Sequence, residues 1–110
     1  MKTSPIFLAI LLTALLRAPA ALAADEFTLV IQNHQFQPVE LRIPAGKKVQ
    51  LMIENRDSTP EEFESYELNR EKIIAGSSKA TVFIGPLDAG RYPFFGDFNQ
   101  KTAKGVIIAK

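Results

Sequence analysis

The chain has 110 residues, with 13 Lys and Arg against 12 Asp and Glu, a single His and no Cys. This length suits one domain, and 46% hydrophobic with 23% charged residues is an ordinary globular balance. The absence of cysteine excludes disulfides, thiolate metal sites and a thiol nucleophile. The net charge of +1 gives no electrostatic reason to expect binding to nucleic acid.

The first 23 residues have the pattern of a secretory signal peptide. Lys2 gives a positive start, an apolar run covers residues 6–16, and small residues stand at Ala21 and Ala23, where a signal peptidase reads them. The apolar run is shorter than the ~20 residues that span a bilayer. We therefore expect cleavage after Ala23, export to the periplasm and no membrane insertion afterwards. The mature chain, residues 24–110, would carry 11 basic and 12 acidic residues.

The mature chain has the alternation of apolar and polar residues that is typical of strands with one buried face. The predicted strands cover residues 27–31, 39–43, 49–53, 63–68, 73–74, 80–84, 92–95 and 105–109. Phe36 breaks the alternation, which predicts a bend or bulge near Asn33–Gln35. The one helical candidate, residues 61–72, is disfavoured by its aromatic content and by Gly76 beyond it. Short strands at this spacing predict a single all-β domain, an antiparallel Greek-key β-sandwich.

The most informative segment, residues 61–67, contains four glutamates. On a strand, Glu62 and Glu64 point to one face with Cα atoms roughly 6.5–7 Å apart, while Phe63 points into the core. Two ionised carboxylates repel each other unless a cation or a basic side chain lies between them. Hard cations such as Fe³⁺, Mn²⁺ and Ca²⁺ prefer these oxygen ligands. The alternative is a solvated acidic face balanced by Arg70, Lys72 or Lys47.

Three more residues are candidate ligands for the same ion. Asp97 lies in an aromatic segment and adds an oxygen ligand if that segment folds toward Glu62, as Asn99 would with its amide oxygen. Glu67 ends the acidic run. His34 lies beside the break in the strand pattern, where a structural, hydrogen-bonded role is the simpler interpretation. The aromatic residues Phe94 and Phe98 are expected in the core.

The mature chain resembles the cupredoxin pattern over nearly all of its length. The motifs that carry the resemblance are, in order, Phe36-Gln37-Pro38, Ile43-Pro44-Ala45-Gly46, Asn55, Gly90-Arg91-Tyr92 and Gly105-Val106-Ile107. Cupredoxins are Greek-key β-sandwiches, and many of them hold copper near one end. The resemblance therefore implies the same fold for this chain.

The copper ligands of that family are missing here. The resemblance places the first His at Glu61 or Glu62, the Cys at Gly96, the second His at Asn99 and the Met at Ala103. Because a blue-copper site requires the thiolate, type 1 copper and electron transfer through it are excluded. A metal site at this end of the fold can still be built from oxygen ligands.

A narrower resemblance connects the chain with iron uptake. The chain is similar to cupredoxin-like periplasmic proteins encoded with FTR-type iron permeases, and more distantly to the N-terminal cupredoxin domain of the iron-uptake protein EfeO. The matching segments are Thr59–Ser65, Glu71-Lys72, Gly85-Pro86-Leu87 and Phe94–Phe98, and the EfeO domain has a Glu-aromatic-Glu run at Glu62-Phe63-Glu64. The cysteines of that domain align with Phe36 and Gly96, and the permease-linked proteins have His at Asn99. Those ligands are not carried over.

Three functions of different classes remain open. The resemblance implies a non-enzymatic periplasmic protein that binds iron or copper and passes the ion to an inner-membrane iron permease or another periplasmic iron-uptake component. The enzymatic alternative is a ferroxidase, since carboxylates that prefer Fe³⁺ favour the oxidation of Fe²⁺. The third is a metal-free module that docks a partner protein through its aromatic end.

Overall fold

The computed structural model describes residues 2–5 and 24–110. The strands in these residues are β1 (Asp25–Gln32), β2 (Gln35–Gln37), β3 (Glu40–Ile43), β4 (Val49–Asn55), β5 (Glu61–Ser65), β6 (Arg70–Ile74), β7 (Lys79–Ile84), β8 (Gly90–Gly96) and β9 (Lys104–Ala109). A 3₁₀ turn at Asp97–Asn99 follows β8. The predicted leader over residues 1–23 lies outside the described residues, apart from residues 2–5. In the described part of the chain, no helix has the length and apolar character needed to cross a membrane.

The strands form two sheets, in the order β2-β1-β4-β7 and β3-β9-β8-β5-β6. The expected all-β sandwich is confirmed, and most strand pairs are antiparallel, but both sheets are mixed. β1 runs parallel to β4, and β3 runs parallel to β9. The reason is the connection between the sheets: the chain leaves the first sheet after β2, crosses to the second as β3, and returns as β4 beside β1 in the same direction.

The break in alternation at Phe36 comes from a hairpin turn rather than a bulge. Asn33 and His34, between β1 and β2, have φ angles of 54° and 55°. Positive φ at both central residues is the geometry of a two-residue type I′ turn. Ile31 and Phe36 are direct partners across this hairpin and both are buried, so the turn keeps them on one face.

Residues 61–72, the helical candidate, form the antiparallel pair β5 and β6. β5 is shorter than expected because the chain turns after Ser65. The Ser65 hydroxyl donates to the carbonyl of Pro93 (2.7 Å) and accepts from the backbone N–H of Leu68 (3.2 Å). Leu68 is buried by this turn, and residues 66–69 connect the two strands.

Three phenylalanine rings occupy the centre of the core between the sheets. Phe36 packs edge-on against Phe63 and Phe94, with ring centroids 6.2 and 5.0 Å apart, and the Phe63 and Phe94 centroids are 5.3 Å apart. All three residues are at most 2% exposed. Phe98 is 49% exposed, so its expected place in the core is wrong. The 3₁₀ turn directs its backbone N–H toward β5 and leaves its ring outside.

Phe63→Ala is expected to lower the free energy of unfolding by about 3–5 kcal/mol, because truncation leaves a cavity between two other rings. Urea denaturation followed by circular dichroism measures the change. Tyr66→Ala is the matched control: Tyr66 is 73% exposed, so its loss should cost less than about 1 kcal/mol. Equal unfolding midpoints for the Phe63 variant and the wild type would show that this ring is not central to the core.

Candidate metal centre

The alternation of β5 separates glutamates that are neighbours in the sequence. Glu61, Phe63 and Ser65 are buried on the inner face of the strand, and Glu62 and Glu64 are half-buried on its outer face. The acidic run of the sequence therefore contributes side chains to two separate places. One carboxylate lies inside the end of the sandwich, and a pair of carboxylates lies outside it.

Asp97 joins the outer pair. The register of β5 with β8 pairs Phe63 with Gly96, so the residue after Gly96 lies beside the outer face of β5. One carboxylate oxygen from each of Glu62, Glu64 and Asp97 can be chosen such that all three lie within 4.8 Å of one another. We call these three residues the carboxylate cluster.

Two other predicted ligands are not part of the carboxylate cluster. Glu67 is exposed in the turn between β5 and β6. His34 lies in the β1–β2 turn, where its Nδ1 is 3.7 Å from a carboxylate oxygen of Asp57. Asp57 accepts the backbone N–H groups of His34 (2.9 Å) and Asn33 (2.8 Å). The bond from the His34 N–H is the main cause that lowers the pKa of Asp57. These contacts give His34 a structural role in the turn.

The basic residues proposed to balance the acidic face do not form ion pairs with the carboxylate cluster. Within residues 24–110, no Lys or Arg nitrogen comes within 4.0 Å of a carboxylate oxygen of the cluster. Arg70 and Lys72 pair with inward-facing residues of β5. The Arg70 guanidinium donates to the carbonyl of Phe83 (2.9 Å). The Lys47 Nζ lies 4.0 Å from the Oδ2 of Asp25.

The cluster therefore concentrates negative charge. Burial raises the pKa of Glu62, and the negative charges of Glu71, Asp97 and Glu64 raise it further. Glu71 contributes because it is the direct cross-strand partner of Glu64. A site with this repulsion gains stability by taking up positive charge, either protons or a metal cation.

The inner face at the same end of the sandwich contains Glu61, which is 1% exposed. Its Oε1 accepts the backbone N–H groups of Phe98 (2.9 Å) and Glu62 (3.0 Å), and its Oε2 accepts the side-chain amide of Asn99 (2.6 Å). The carboxylate thus connects β5 with the segment between β8 and β9, residues 97–103, which we call the 97–103 loop. This role was missed from the sequence, although Glu61 has the same strand parity as the core residue Phe63.

Gly96 and Ala103 complete this inner site. The Gly96 N–H donates to the carbonyl of Ala103 (2.8 Å), and the Ala103 N–H donates to the carbonyl of Asn99 (2.8 Å). A Cβ atom on Gly96 would lie 2.6 Å from the Ala103 Cβ and 2.7 Å from the Glu61 Cδ, which is closer than real Cβ atoms approach. Glycine is therefore required by packing, since the backbone φ of −95° is available to any residue.

A model of the cupredoxin-like domain family matches residues 5–109. The chain belongs to the cupredoxin-like family. Among curated proteins it is 43% identical over 83 residues to the "Uncharacterized protein RP394" of Rickettsia prowazekii (strain Madrid E). The match covers 76% of this chain and 66% of that relative, so the chain spans just under two thirds of the relative's length.

Solved cupredoxins have the same fold at low sequence identity. Auracyanin A, a "blue" copper protein from Chloroflexus aurantiacus, matches with a TM-score of 0.69 at 10% identity, over 80% of this chain and all of that chain. Amicyanin from Paracoccus versutus gives 0.60 at 19% identity, over 83% and 87% of the two chains. The purple cupredoxin from Nitrosopumilus maritimus gives 0.59 at 18% identity, over 76% and 98%.

The inner site of this cupredoxin-like chain does not fit the copper that the fold often holds. Its four positions contain a carboxylate, a glycine, an amide and an alanine, without the sulfur and imidazole ligands of type 1 copper. The space that a cysteine side chain would need at Gly96 is filled by Ala103 and Glu61. The resemblance leaves the first ligand position to Glu61 or Glu62. Of these two, Glu61 lies on the inner face and is bonded to Asn99, whereas Glu62 belongs to the carboxylate cluster on the outer face.

Gly96→Ala is expected to lower the free energy of unfolding by about 1–3 kcal/mol, because the new methyl group overlaps two neighbours. Ala103→Gly removes one overlap, so the double variant should lose less than the sum of the two single variants. Urea denaturation of the four proteins gives this coupling. Strict additivity would show that positions 96 and 103 do not make the contact described.

Glu62→Gln is expected to stabilise the metal-free protein at pH 7. The pKa of Glu62 is raised above its ordinary value of 4.5, so the ionised form is disfavoured in the fold. This cost is complete above the raised pKa and disappears below the unfolded value, where both states are protonated. The gain in melting temperature should therefore shrink as the pH falls through the raised pKa and vanish below the unfolded value. The exposed Glu26→Gln is the control, and an equal gain there would contradict the assignment.

Proposed function

We propose that this cupredoxin-like protein binds a hard metal cation, above all iron, at the carboxylate cluster and passes it on within an iron-uptake system of the periplasm. The observation that carries the proposal is the convergence of Glu62, Glu64 and Asp97 on one half-buried spot. Among the described residues, no Lys or Arg forms an ion pair with these groups. Burial is the largest cause that raises the pKa of Glu62, and a cation would remove the repulsion that raises it further.

The spacing of the three oxygens suits a single ion. Oxygen ligands lie about 2.0–2.6 Å from a hard cation, so two of them on one ion are at most about 5 Å apart. Three protein ligands leave further coordination positions for water or for a group of the receiving protein. Partial exposure of the cluster allows such exchange, which favours transfer of the ion over permanent storage.

Iron is preferred over copper because the donors are oxygens. Carboxylates suit Fe²⁺ and Fe³⁺, whereas Cu(I) selects thiolate and thioether ligands, and this chain has no Cys and two Met. Cu²⁺ binds most nitrogen and oxygen sites more tightly than Fe²⁺, so copper is the competing ion in any experiment. The periplasmic location rests on the leader pattern of residues 1–23. The permease or other uptake partner rests on the resemblance around Glu62-Phe63-Glu64.

A second candidate function is the oxidation of Fe²⁺. It is favoured by the anionic, all-oxygen donor set, which stabilises Fe³⁺ more than Fe²⁺. Each Fe²⁺ would lose one electron to dioxygen or to a partner redox protein. Anaerobic loading followed by mixing with dioxygen separates the two functions: a carrier should not accelerate oxidation above the rate of the Glu62→Gln, Glu64→Gln double variant.

Metal binding is tested on dialysed protein by calorimetric titration with Mn²⁺, which is stable to oxidation, and with Fe²⁺ under anaerobic conditions. The Glu62→Gln, Glu64→Gln double variant should bind at least about tenfold more weakly and remain folded. Affinity of the wild type should fall as the pH falls through the raised pKa of Glu62, since protons compete for the same oxygens.

The matched control is a Glu26→Gln, Glu40→Gln double variant, which removes the same charge at exposed positions of β1 and β3. It should bind Mn²⁺ like the wild type. Equal affinity in the cluster variant and the wild type would place the ion elsewhere. No binding by the wild type would instead favour the metal-free docking module, whose surface would include the Tyr66 and Phe95 rings beside the cluster, 5.4 Å apart.

A further inference from the structure

We infer that the Glu61 carboxylate is a built-in replacement for the family's metal, tying β5 to the 97–103 loop and thereby positioning Asp97 in the carboxylate cluster. The first half of the inference concerns the metal-free fold alone. The second half rests on the proposed cation site.

The contacts of Glu61 support the tie. A buried carboxylate is costly unless its oxygens are hydrogen-bonded. Glu61 accepts three bonds of 2.6–3.0 Å, from the Phe98 N–H, the Glu62 N–H and the Asn99 amide. Bonds to an ionised acceptor are stronger than those between neutral groups. Two of the three donors belong to the 97–103 loop, so the bonds join elements more than 30 residues apart in the chain.

By the motif resemblance, this tie lies where other members of the family hold an ion. A metal held by a strand and a loop cross-links them through its ligands. The family resemblance puts two such ligands at Glu61 or Glu62 and at Asn99, and here the Asn99 amide donates directly to Glu61 at 2.6 Å. The loop also closes on itself, with the N–H groups of Thr102 (3.2 Å) and Ala103 (2.8 Å) donating to the Asn99 carbonyl.

One oxygen of Glu61 fixes both halves of the carboxylate cluster. Oε1 accepts the backbone N–H of Glu62, a cluster residue on β5, and the backbone N–H of Phe98, the residue after Asp97. On its other side Asp97 follows Gly96, which is bonded to Ala103 and packed against Glu61. The backbone of Asp97 is thus held from both ends. Glu61 is a positioning residue that does not itself belong to the cluster.

The test compares two changes at Glu61 in full-length protein. Glu61→Leu removes all acceptors. Glu61→Gln keeps Oε1 for the two backbone donors, and its amide can donate to Asn99 after a flip of the Asn99 side chain. Ser65→Ala is the matched control, because Ser65 is also buried on the inner face of β5 and makes two hydrogen bonds of its own.

The first measurement is native-state hydrogen exchange of metal-free protein, comparing the amides of Phe98 and Ala103 with those of Leu51 and Ile53 in β4. Glu61→Leu should accelerate exchange in the loop about tenfold or more relative to β4, as expected for lost bonds to a charged acceptor. Glu61→Gln should stay within about threefold of the wild type, and Ser65→Ala should not single out the loop. Unchanged relative exchange in Glu61→Leu would overturn the tie.

The second measurement is the affinity for Mn²⁺. Glu61→Leu should weaken it about tenfold or more, and Glu61→Gln should restore most of it. If loop exchange rises but Mn²⁺ binding does not change, the positioning half is wrong. A wild type that does not bind Mn²⁺ contradicts the proposed function, and the exchange data still decide the tie.

If Glu61→Leu does not fold, Asn99→Ala removes one loop donor and should also accelerate exchange at Phe98 and Ala103. The absence of that effect would overturn the tie.

Discussion

Successive side chains of a strand point to opposite faces of the sheet, and along β5 this alternation gives adjacent glutamates different surroundings. Glu61 is enclosed with N–H donors around it, while Glu62 faces outward among other carboxylates. A shift of one residue in the register of β5 would exchange these environments, because the side-chain period is two. The pairing of Phe63 with Gly96 fixes that register and so fixes which glutamate closes the fold and which can meet a cation.

The charge of the inner carboxylate and the charges of the outer carboxylates are stabilised in different ways. The inner carboxylate is balanced by hydrogen bonds from neutral donors, which a buried site can supply. The outer carboxylates repel one another, and the fold tolerates that repulsion because the cluster is only half-buried and water screens it. A cupredoxin-like sandwich without the type 1 copper ligands thus bonds its end loop through Glu61 and exposes three carboxylates beside it.

Much of the fold follows from local patterns. The alternation of apolar residues located most strands, and the ordered turn motifs indicated the cupredoxin-like sandwich. The details that the sequence did not reveal depend on contacts between distant segments. The turn at Asn33 and His34 is held by Asp57, more than 20 residues away, and so could not be distinguished from a bulge. The outward position of Phe98 depends on its N–H being bonded to Glu61. Parallel pairing of β1 with β4 depends on the route of the chain between sheets.

The sequence predicted the candidate site about as fully as it predicted the fold. Strand parity placed Glu62 and Glu64 together, and the loop position of Asp97 made it a conditional third ligand; the structure supplies the condition through the 3₁₀ turn. The inner role of Glu61 was missed, because two of its three donors lie in the distant 97–103 loop and the third is the backbone N–H of Glu62. The sequence shows that position 96 has no cysteine and so offers no thiolate ligand. Only the packing shows that glycine is required there. With Glu61 bonded across the site, any side chain at this position would displace the carboxylate that orders the loop.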